Sequence, residues 1–423
     1  MSKLGVSIIG ASNRTGAVLR YFKKVPESVQ VVGIYDLIPG RTRHMLDKFC
    51  DGSGKVYTSL QEAVTDPEVS AVFVCTPDWA HVESVGAALA AGKNVFCEKP
   101  LATTLEDCDQ IIDASRNAKG IFYLGMNLRH APVYEKTYEL LQQGLLGKVL
   151  TIEANEHYYG GRTYFRRWNR LRQYGGGLWI TKACHDFDIL NWLAGGNPER
   201  VYARCNLSHY IPNPEASSHC RFCKLKDKCP DFYDINTAND EWDQLAKIDE
   251  EASGKMSDLC LFNSDKDTFD NGIALIDYDN DIRATYTVTV VTARRTRQIL
   301  LTGTEGSAHA DLETGLVTYW KRHCDDKKIF DFTAEMKSSH GGADDKIYAD
   351  FLDCCRSGRA PRSNWFDGRL SVQVGLAATQ SSDTGMPVLL KPAEHDLPRP
   401  NSSLHRSPKS DFANNNFATL YNN

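Results

Sequence analysis

Over the first ~125 residues, short β-branched runs alternate with amphipathic stretches. The runs Gly5–Ile9, Val31–Tyr35, Ala71–Cys75, Asn94–Cys97 and Ile121–Gly125 predict strands. Between them, Gly16–Lys24, Arg41–Phe49, His81–Ala91 and Thr104–Asn117 carry apolar positions at helical spacing. This alternation predicts βαβ units and a parallel sheet. Near-continuous apolar runs such as "AVFVC" fit strands buried on both faces. After Met126 the rhythm changes. A helix (Pro132–Gln143), a strand (Lys148–His157) and a second helix ending near Ala194 are followed by alternating strands between Asp270 and Trp320. The turn residues Asp277 to Asp281 split that run into a hairpin. A final helical pair is expected around Ala343–Arg356 and Gly368–Asp383, and the Pro-, Ser- and Asn-rich segment 392–423 reads as a mobile tail. The expected fold class is therefore α/β. A Rossmann unit would occupy residues 1–125. An α/β unit with a large, open, mostly antiparallel sheet would occupy 126–391, interrupted by a Cys-rich insertion at about 210–262.

Composition narrows the partners. The chain has 423 residues, 42% of them hydrophobic, and a net charge of -5. That balance argues against general affinity for nucleic acid or anionic membrane, and no apolar run approaches a membrane span. The apolar run at the N-terminus leads straight into a glycine turn, so it reads as a first strand and not as a signal peptide. Thirteen cysteines, many inside apolar runs, fit a reducing compartment, and the cytoplasm is expected.

The first turn carries candidate chemistry. Gly10-Ala-Ser-Asn-Arg-Thr-Gly16 joins the first strand to the first helix. Small residues there let backbone amides and the helix N-terminus approach a pyrophosphate. Gly10, Ser12, Asn13, Arg14 and Gly16 are therefore candidate cofactor contacts, although the spacing departs from G-x-G-x-x-G. Asp36, ending the second strand, suits the ribose hydroxyls of NAD. Arg41, five residues on, keeps NADP possible.

In order along the chain come this turn, then "CTPDWAH…GKNVFCEKPLA", "LGMNLRHAPVY" and "YGGGLWITKACHDFDILNWLAG". Together with two closing helices, these segments resemble the glucose–fructose oxidoreductase / inositol dehydrogenase (Gfo/Idh/MocA) family over about residues 3–390. The resemblance implies an N-terminal Rossmann domain, a C-terminal α/β domain, and substrate held between them against a nicotinamide. By position, Cys75, Thr76, Pro77 and His81 match cofactor contacts, and Glu98-Lys99-Pro100 matches the E-K-P motif whose lysine faces substrate and nicotinamide. Asn127 and Arg129 match an N-x-R segment. His185 matches the catalytic histidine. Lys99 would donate to the reacting oxygen, and His185 would take the hydroxyl proton.

One departure stands out. Family dehydrogenases often carry Asp four residues before the histidine, and here that position is Thr181. Lys182, three residues before His185, is expected on the same helical face, as a second catalytic or substrate-binding group. Asp186 is close by. Arg166, Trp168 and Asn169 are candidate sugar contacts by stacking and hydrogen bonding.

"SHCRFCKLKDKC" places Cys220, Cys223 and Cys229 in a polar segment, a spacing that reads as metal ligation. Cys260 is the expected fourth ligand on the family resemblance, with His219 and Cys205 in reserve. A closed thiolate set implies structural zinc, and an iron–sulfur cluster has the same ligand chemistry.

The expected function is an NAD(P)-dependent oxidoreductase acting on a secondary hydroxyl of a sugar, glycoside or cyclitol, with a carbohydrate or cyclitol as small-molecule partner and a homo-oligomeric state. The alternatives are an NAD-dependent glycosidase working by transient oxidation and elimination, which needs an extra base such as Tyr158, Tyr159 or Lys182, and a non-catalytic NAD-binding regulator.

Overall fold

A computed structural model describes residues 3–325, 327–336 and 339–391. Strands β1 (Leu4–Ile9), β2 (Val29–Tyr35), β3 (Lys55–Val56), β4 (Ala71–Val74), β5 (Asn94–Cys97) and β6 (Phe122–Leu124) form a parallel sheet of order β3-β2-β1-β4-β5-β6. Its side chains separate by the two-residue period of a strand. Val6, Ile8, Ala71, Phe73 and Phe96 enter one core with Val18, Leu19, Met45 and Leu46. Ile9, Val72, Val74, Val95 and Cys97 enter the opposite core with Val64, Val85, Ala88 and Ile111. Both faces are thus dry, which explains the unbroken apolar runs.

The expected strands and helices of this half are present with shifts of a few residues. The pair β3 and Leu60–Thr65 are additional elements, too short to show a period. The C-terminal helix Ala343–Ser357 also returns to this sheet. Its Ile347, Tyr348 and Phe351 complete the first core, with Phe351 edge-on to Phe73 at 5.1 Å between ring centroids. Burying each such side chain contributes about 1.5–3 kcal/mol, so the last helices help hold the first sheet.

The second sheet adds β7 (Val149–His157), β8 (Pro198–Asn206), β9 (Asn271–Tyr278), β10 (Arg283–Thr289), β11 (Thr296–Gly303), β12 (Gly306–Asp311), β13 (Leu316–Lys321), β14 (Lys327–Asp331) and β15 (Val388–Leu389). The order is β14-β13-β12-β11-β7-β10-β9-β8-β15, antiparallel except for β7 beside β10. The β9–β10 hairpin turns at the expected acidic cluster. Alternate residues of β9 are buried, against helices Cys184–Ala194 and Trp365–Thr384, or face outward, as Ile273 and Leu275 do.

Between β8 and β9 lies the Cys-rich insertion. Its helix Glu241–Ser253 escaped the sequence reading because its neighbours are polar. Asp240 and Asp243 cap it reciprocally at 2.9 Å, and Leu245 enters the first-sheet core. The tail expectation for 392–423 lies outside the described residues. Among the described residues, no helix is long and apolar enough to cross a membrane.

Candidate active site

The carboxyl ends of β1, β2, β4 and β5 meet in one place, where open parallel sheets collect ligands. Gly10 has φ +91°, and a Cβ there would sit 2.7 Å from the Cys75 backbone. A side chain is therefore excluded on both steric and conformational grounds. Asp36 ties the glycine turn to the next helix, its carboxylate accepting from Ala11 N at 2.7 Å and Ile38 N at 2.8 Å. Ser12 Oγ donates to Cys75 O at 2.9 Å. The hydroxyl of Thr76 and the side-chain oxygen of Asn127 are buried without a protein partner, so the crossing point offers polar groups to a ligand. A dinucleotide fits this donor set. Gly10, Ser12, Asn13, Gly16 and Asp36 would hold its diphosphate and adenosine end, and Cys75, Thr76, Pro77 and Asn127 its nicotinamide side.

Other expected contacts are already engaged. Arg14 donates to Glu98 Oε1 at 2.9 Å, to both oxygens of Asp344 at 3.0 and 3.2 Å, and to Tyr348 Oη at 2.7 Å. It fastens the first turn to the returning C-terminal helix. His81 sits between the carbonyls of Pro100 at 2.8 Å and Thr76 at 3.2 Å, so it braces the turns instead of facing a ligand. Arg41 forms a bidentate pair with Asp249.

At the end of β5, the Lys99–Pro100 peptide is cis and Lys99 Nζ donates to Thr181 O at 2.8 Å. That contact brings the first-sheet lysine onto the segment leading to His185. His185 is 3% exposed and its Nδ1 has no partner. Burial, with Lys99, Arg297, His340 and Lys182 around it, holds the imidazole well below its ordinary basicity. It is therefore neutral near pH 7 and able to accept a proton. Asp78, missed in the sequence although it directly follows Cys75-Thr-Pro77, completes the group. It is 7% exposed, and burial pushes its carboxyl up to about 7 against the pull of Lys99 and a hydrogen bond from the Thr181 side chain.

Lys182 departs from expectation. The chain is helical over Leu178–Thr181 and again over Cys184–Ala194, with Lys182 at the break between them. Same-face helical spacing therefore does not apply. Its Nζ pairs with Glu156 Oε1 on β7 at 2.8 Å and lies 4.3 Å from the Tyr158 ring centroid. Arg297 on β11 spans Glu156 at 3.0 Å and Asp186 at 2.8 Å, and Tyr286 Oη donates to Asp186 at 2.9 Å. Burial lifts Asp186 to about 6 while Arg297 opposes it. Lys182 and Asp186 are thus partners in a buried network behind His185, not free substrate ligands. Glu156 and Arg297 carried no sequence signal, since each is a charge on an alternating strand with no motif around it. Arg129 and Asp188 form a second buried pair, with oxygens at 2.7 and 2.8 Å, which secures the histidine helix.

The expected sugar contacts divide. Arg166 turns to the insertion, donating to Leu259 O at 2.8 Å and to Cys220 Sγ at 3.7 Å. Trp168 packs edge-on to Trp79, 5.0 Å between centroids, bridging the two halves of the molecule. Asn169 is buried with its side-chain oxygen unpartnered, and it remains a candidate contact.

Comparison with known proteins agrees with this fold. Residues 4–126 match the model of the Gfo/Idh/MocA oxidoreductases' NAD-binding Rossmann fold, and residues 138–390 match that of their C-terminal α/β domain. The chain belongs to this family. Among curated relatives, a myo-inositol 2-dehydrogenase of Thermotoga maritima is 32% identical over 47% of this chain and 57% of its own length. A 1,5-anhydro-D-fructose reductase of Ensifer adhaerens is 34% identical over 36% of this chain and 46% of its own. The alignments span about half of the length of such relatives. A levoglucosan dehydrogenase structure shares the fold, with TM-score 0.73 and 16% identity over 92% of this chain and 99% of that one.

The expected metal centre is not assembled. Among the described residues, no three His, Cys, Asp or Glu side chains are placed to hold an ion. Cys220, Cys223, Cys229 and Cys260 nevertheless line one cavity with Leu261. Cys220 N donates to Asp258 O and Cys260 N to Ser218 O, at 2.9 and 2.8 Å, so two of them flank the short antiparallel bridge between His219 and Leu259. Burial pushes the Cys220 and Cys229 thiols up.

Proposed function

We propose that this protein is an NAD-dependent oxidoreductase acting on a secondary hydroxyl of a sugar, glycoside or cyclitol. The observation that carries the reading is a neutral, buried His185 with Nδ1 free, beside Lys99 at the carboxyl end of the parallel sheet. Bound nicotinamide supplies the hydride acceptor. His185 Nδ1 takes the proton of the substrate hydroxyl, and Lys99 Nζ donates to the oxygen as it gains negative charge. Asp78 offsets the Lys99 charge, and the Glu156–Arg297–Asp186 network fixes the segment that carries His185. The names of the relatives, which act on inositol and anhydro sugars, support a polyhydroxylated substrate. Of the three bases that elimination could use, Lys182 is ion-paired, burial holds the Tyr158 hydroxyl well above its usual range, and Tyr159 is exposed.

The test is NADH formation from a panel of sugars, glycosides and cyclitols. Reduction of NAD by at least one of them is expected, with losses of about 10²–10⁴-fold in His185→Asn. Aglycone release without net NADH would sink the proposal.

We further propose that the four thiols bind structural zinc, their cavity closing once the ion draws off the thiol protons. The shared cavity supports this. Elemental analysis of the purified protein should find one zinc per chain, absent in Cys220→Ser/Cys223→Ser. Iron with sulfide would instead identify a cluster, and no metal at all would overturn it. Buried thiols such as Cys75, Cys97, Cys108 and Cys184 sit unbridged inside the cores, which supports a reducing, cytoplasmic setting.

A further inference from the structure

The sequence leaves the cofactor's 2′ position undecided, because an acid at 36 and a guanidinium at 41 pull in opposite directions. The fold brings a third group to the same place. Helix Glu241–Ser253 of the insertion lies along helix Pro39–Cys50, which begins just after β2. Asp249, 208 residues downstream, holds Arg41 through two hydrogen bonds, Nε and Nη2 each to its own carboxylate oxygen. The pair is largely covered, with side chains 24% and 30% exposed. It belongs to a longer seam. Glu241 pairs with His44 and Lys48, each at 2.8 Å, and Lys48 Nζ donates to Gln244 at 2.9 Å. Contact is close enough that a Cβ at Gly40 would stand 3.0 Å from Ile248. At the far end of the helix, Arg221 holds Glu250 at 2.7 Å and Asp258 at 2.9 Å. At its start, Arg167 stacks 3.5 Å from the Trp242 ring centroid. The helix is therefore clamped between the first sheet and the loop that precedes the histidine segment.

A guanidinium recognises phosphate through the same fork that it offers a carboxylate. Asp249 already fills that fork. An incoming 2′-phosphate would have to displace it and would also meet the charge of Asp36, whose oxygens are fixed on Ala11 N and Ile38 N.

We propose that Asp249 determines cofactor choice by sequestering Arg41, so that the insertion enforces NAD over NADP. The inference rests on the dinucleotide reading of residues 10–41. Asp249 is a positioning residue, acting through Arg41. Ribose hydroxyls are neutral and need only the acceptor at Asp36, so NAD is indifferent to whether Arg41 is held.

Equilibrium binding of NAD and NADP to the full-length protein, by titration calorimetry without substrate, tests this. The wild type should bind NAD at least tenfold more tightly than NADP. Asp249→Ala should tighten NADP by about tenfold or more and leave NAD within about twofold. The isosteric Asp249→Asn, which keeps the packing, should move NADP the same way by less. Adding Arg41→Ala to Asp249→Ala should cancel the gain. Unchanged NADP affinity in both Asp249 variants, or equal wild-type affinity for the two dinucleotides, would overturn the proposal. Binding of neither dinucleotide by the wild type would overturn the dinucleotide reading itself, and the proposal with it.

Discussion

Lys182 Nζ stands 2.8 Å from Glu156 Oε1, so the cation nearest His185 in sequence is neutralised by a strand of the second sheet. Both side chains are buried, at 13% and 7% exposure, and Glu156 also carries Arg297. Glu156→Gln would leave two buried cations short of a counter-charge. Breaking such a pair costs about 3–5 kcal/mol. Denaturant unfolding should show that loss, and a Lys182→Met/Glu156→Gln double variant should lose less than the sum of its singles. Additive losses would mean that the pair is not coupled.

His185 predicts a pH dependence of stability. Burial and the surrounding cations lower its folded-state pKa. The folded protein therefore binds fewer protons than the unfolded chain at mildly acid pH. Its stabilising contribution is fully present above the unfolded value, about 6.5, and is lost as pH falls from there toward the folded pKa. Unfolding free energy measured between about pH 4 and 8 should fall on the acid side by up to ~1.4 kcal/mol per pH unit for this group. His185→Asn should flatten that limb by one proton, and an identical slope in the variant would refute the assignment.

Asp78 predicts a kinetic signature. Burial places its carboxyl at about 7 against the opposing charge of Lys99. The kcat/KM profile should show an inflection near neutrality that disappears in Asp78→Asn. A profile that is the same in both proteins would remove Asp78 from the site.

Arg14 predicts how the two ends of the chain are joined. Its guanidinium serves Glu98, Asp344 and Tyr348 together, and Asp344 also accepts from Asn127 at 2.6 Å. Arg14→Ala strands buried carboxylates and should lower stability by about 3–5 kcal/mol. Arg14→Lys should recover little, because an ammonium lacks the planar fork. Full recovery by lysine would show that charge alone matters.

The first sheet was legible because its signal is local. Val72, Phe73 and Val74 alternate between two dry faces, and an apolar run bounded by turn residues announces such a strand. The E-K-P turn and His185 were legible as ordered motifs, and the structure brings Lys99 and the His185 segment together through Thr181. The error over Lys182 came from extending helical spacing across a break at residues 182–183 that no proline marks. Arg166 was misplaced for a related reason: a basic aromatic stretch suits sugar and a cysteine cavity equally well, and only packing chose between them.

The sequence by itself determined the layered α/β class, the glycine turn, the acid at 36 and the order of the motifs that carry Lys99 and His185, because each depends on residues near one another in the chain or on motif order. Tertiary structure alone decided what surrounds them. Glu156, Arg297, Asp249 and Asp344 act across separations of tens to hundreds of residues, with no motif in the sequence to mark their partners. Their roles arise where burial makes an unpaired charge costly and the nearest opposite charge must answer it. That requirement exists only once the chain has folded.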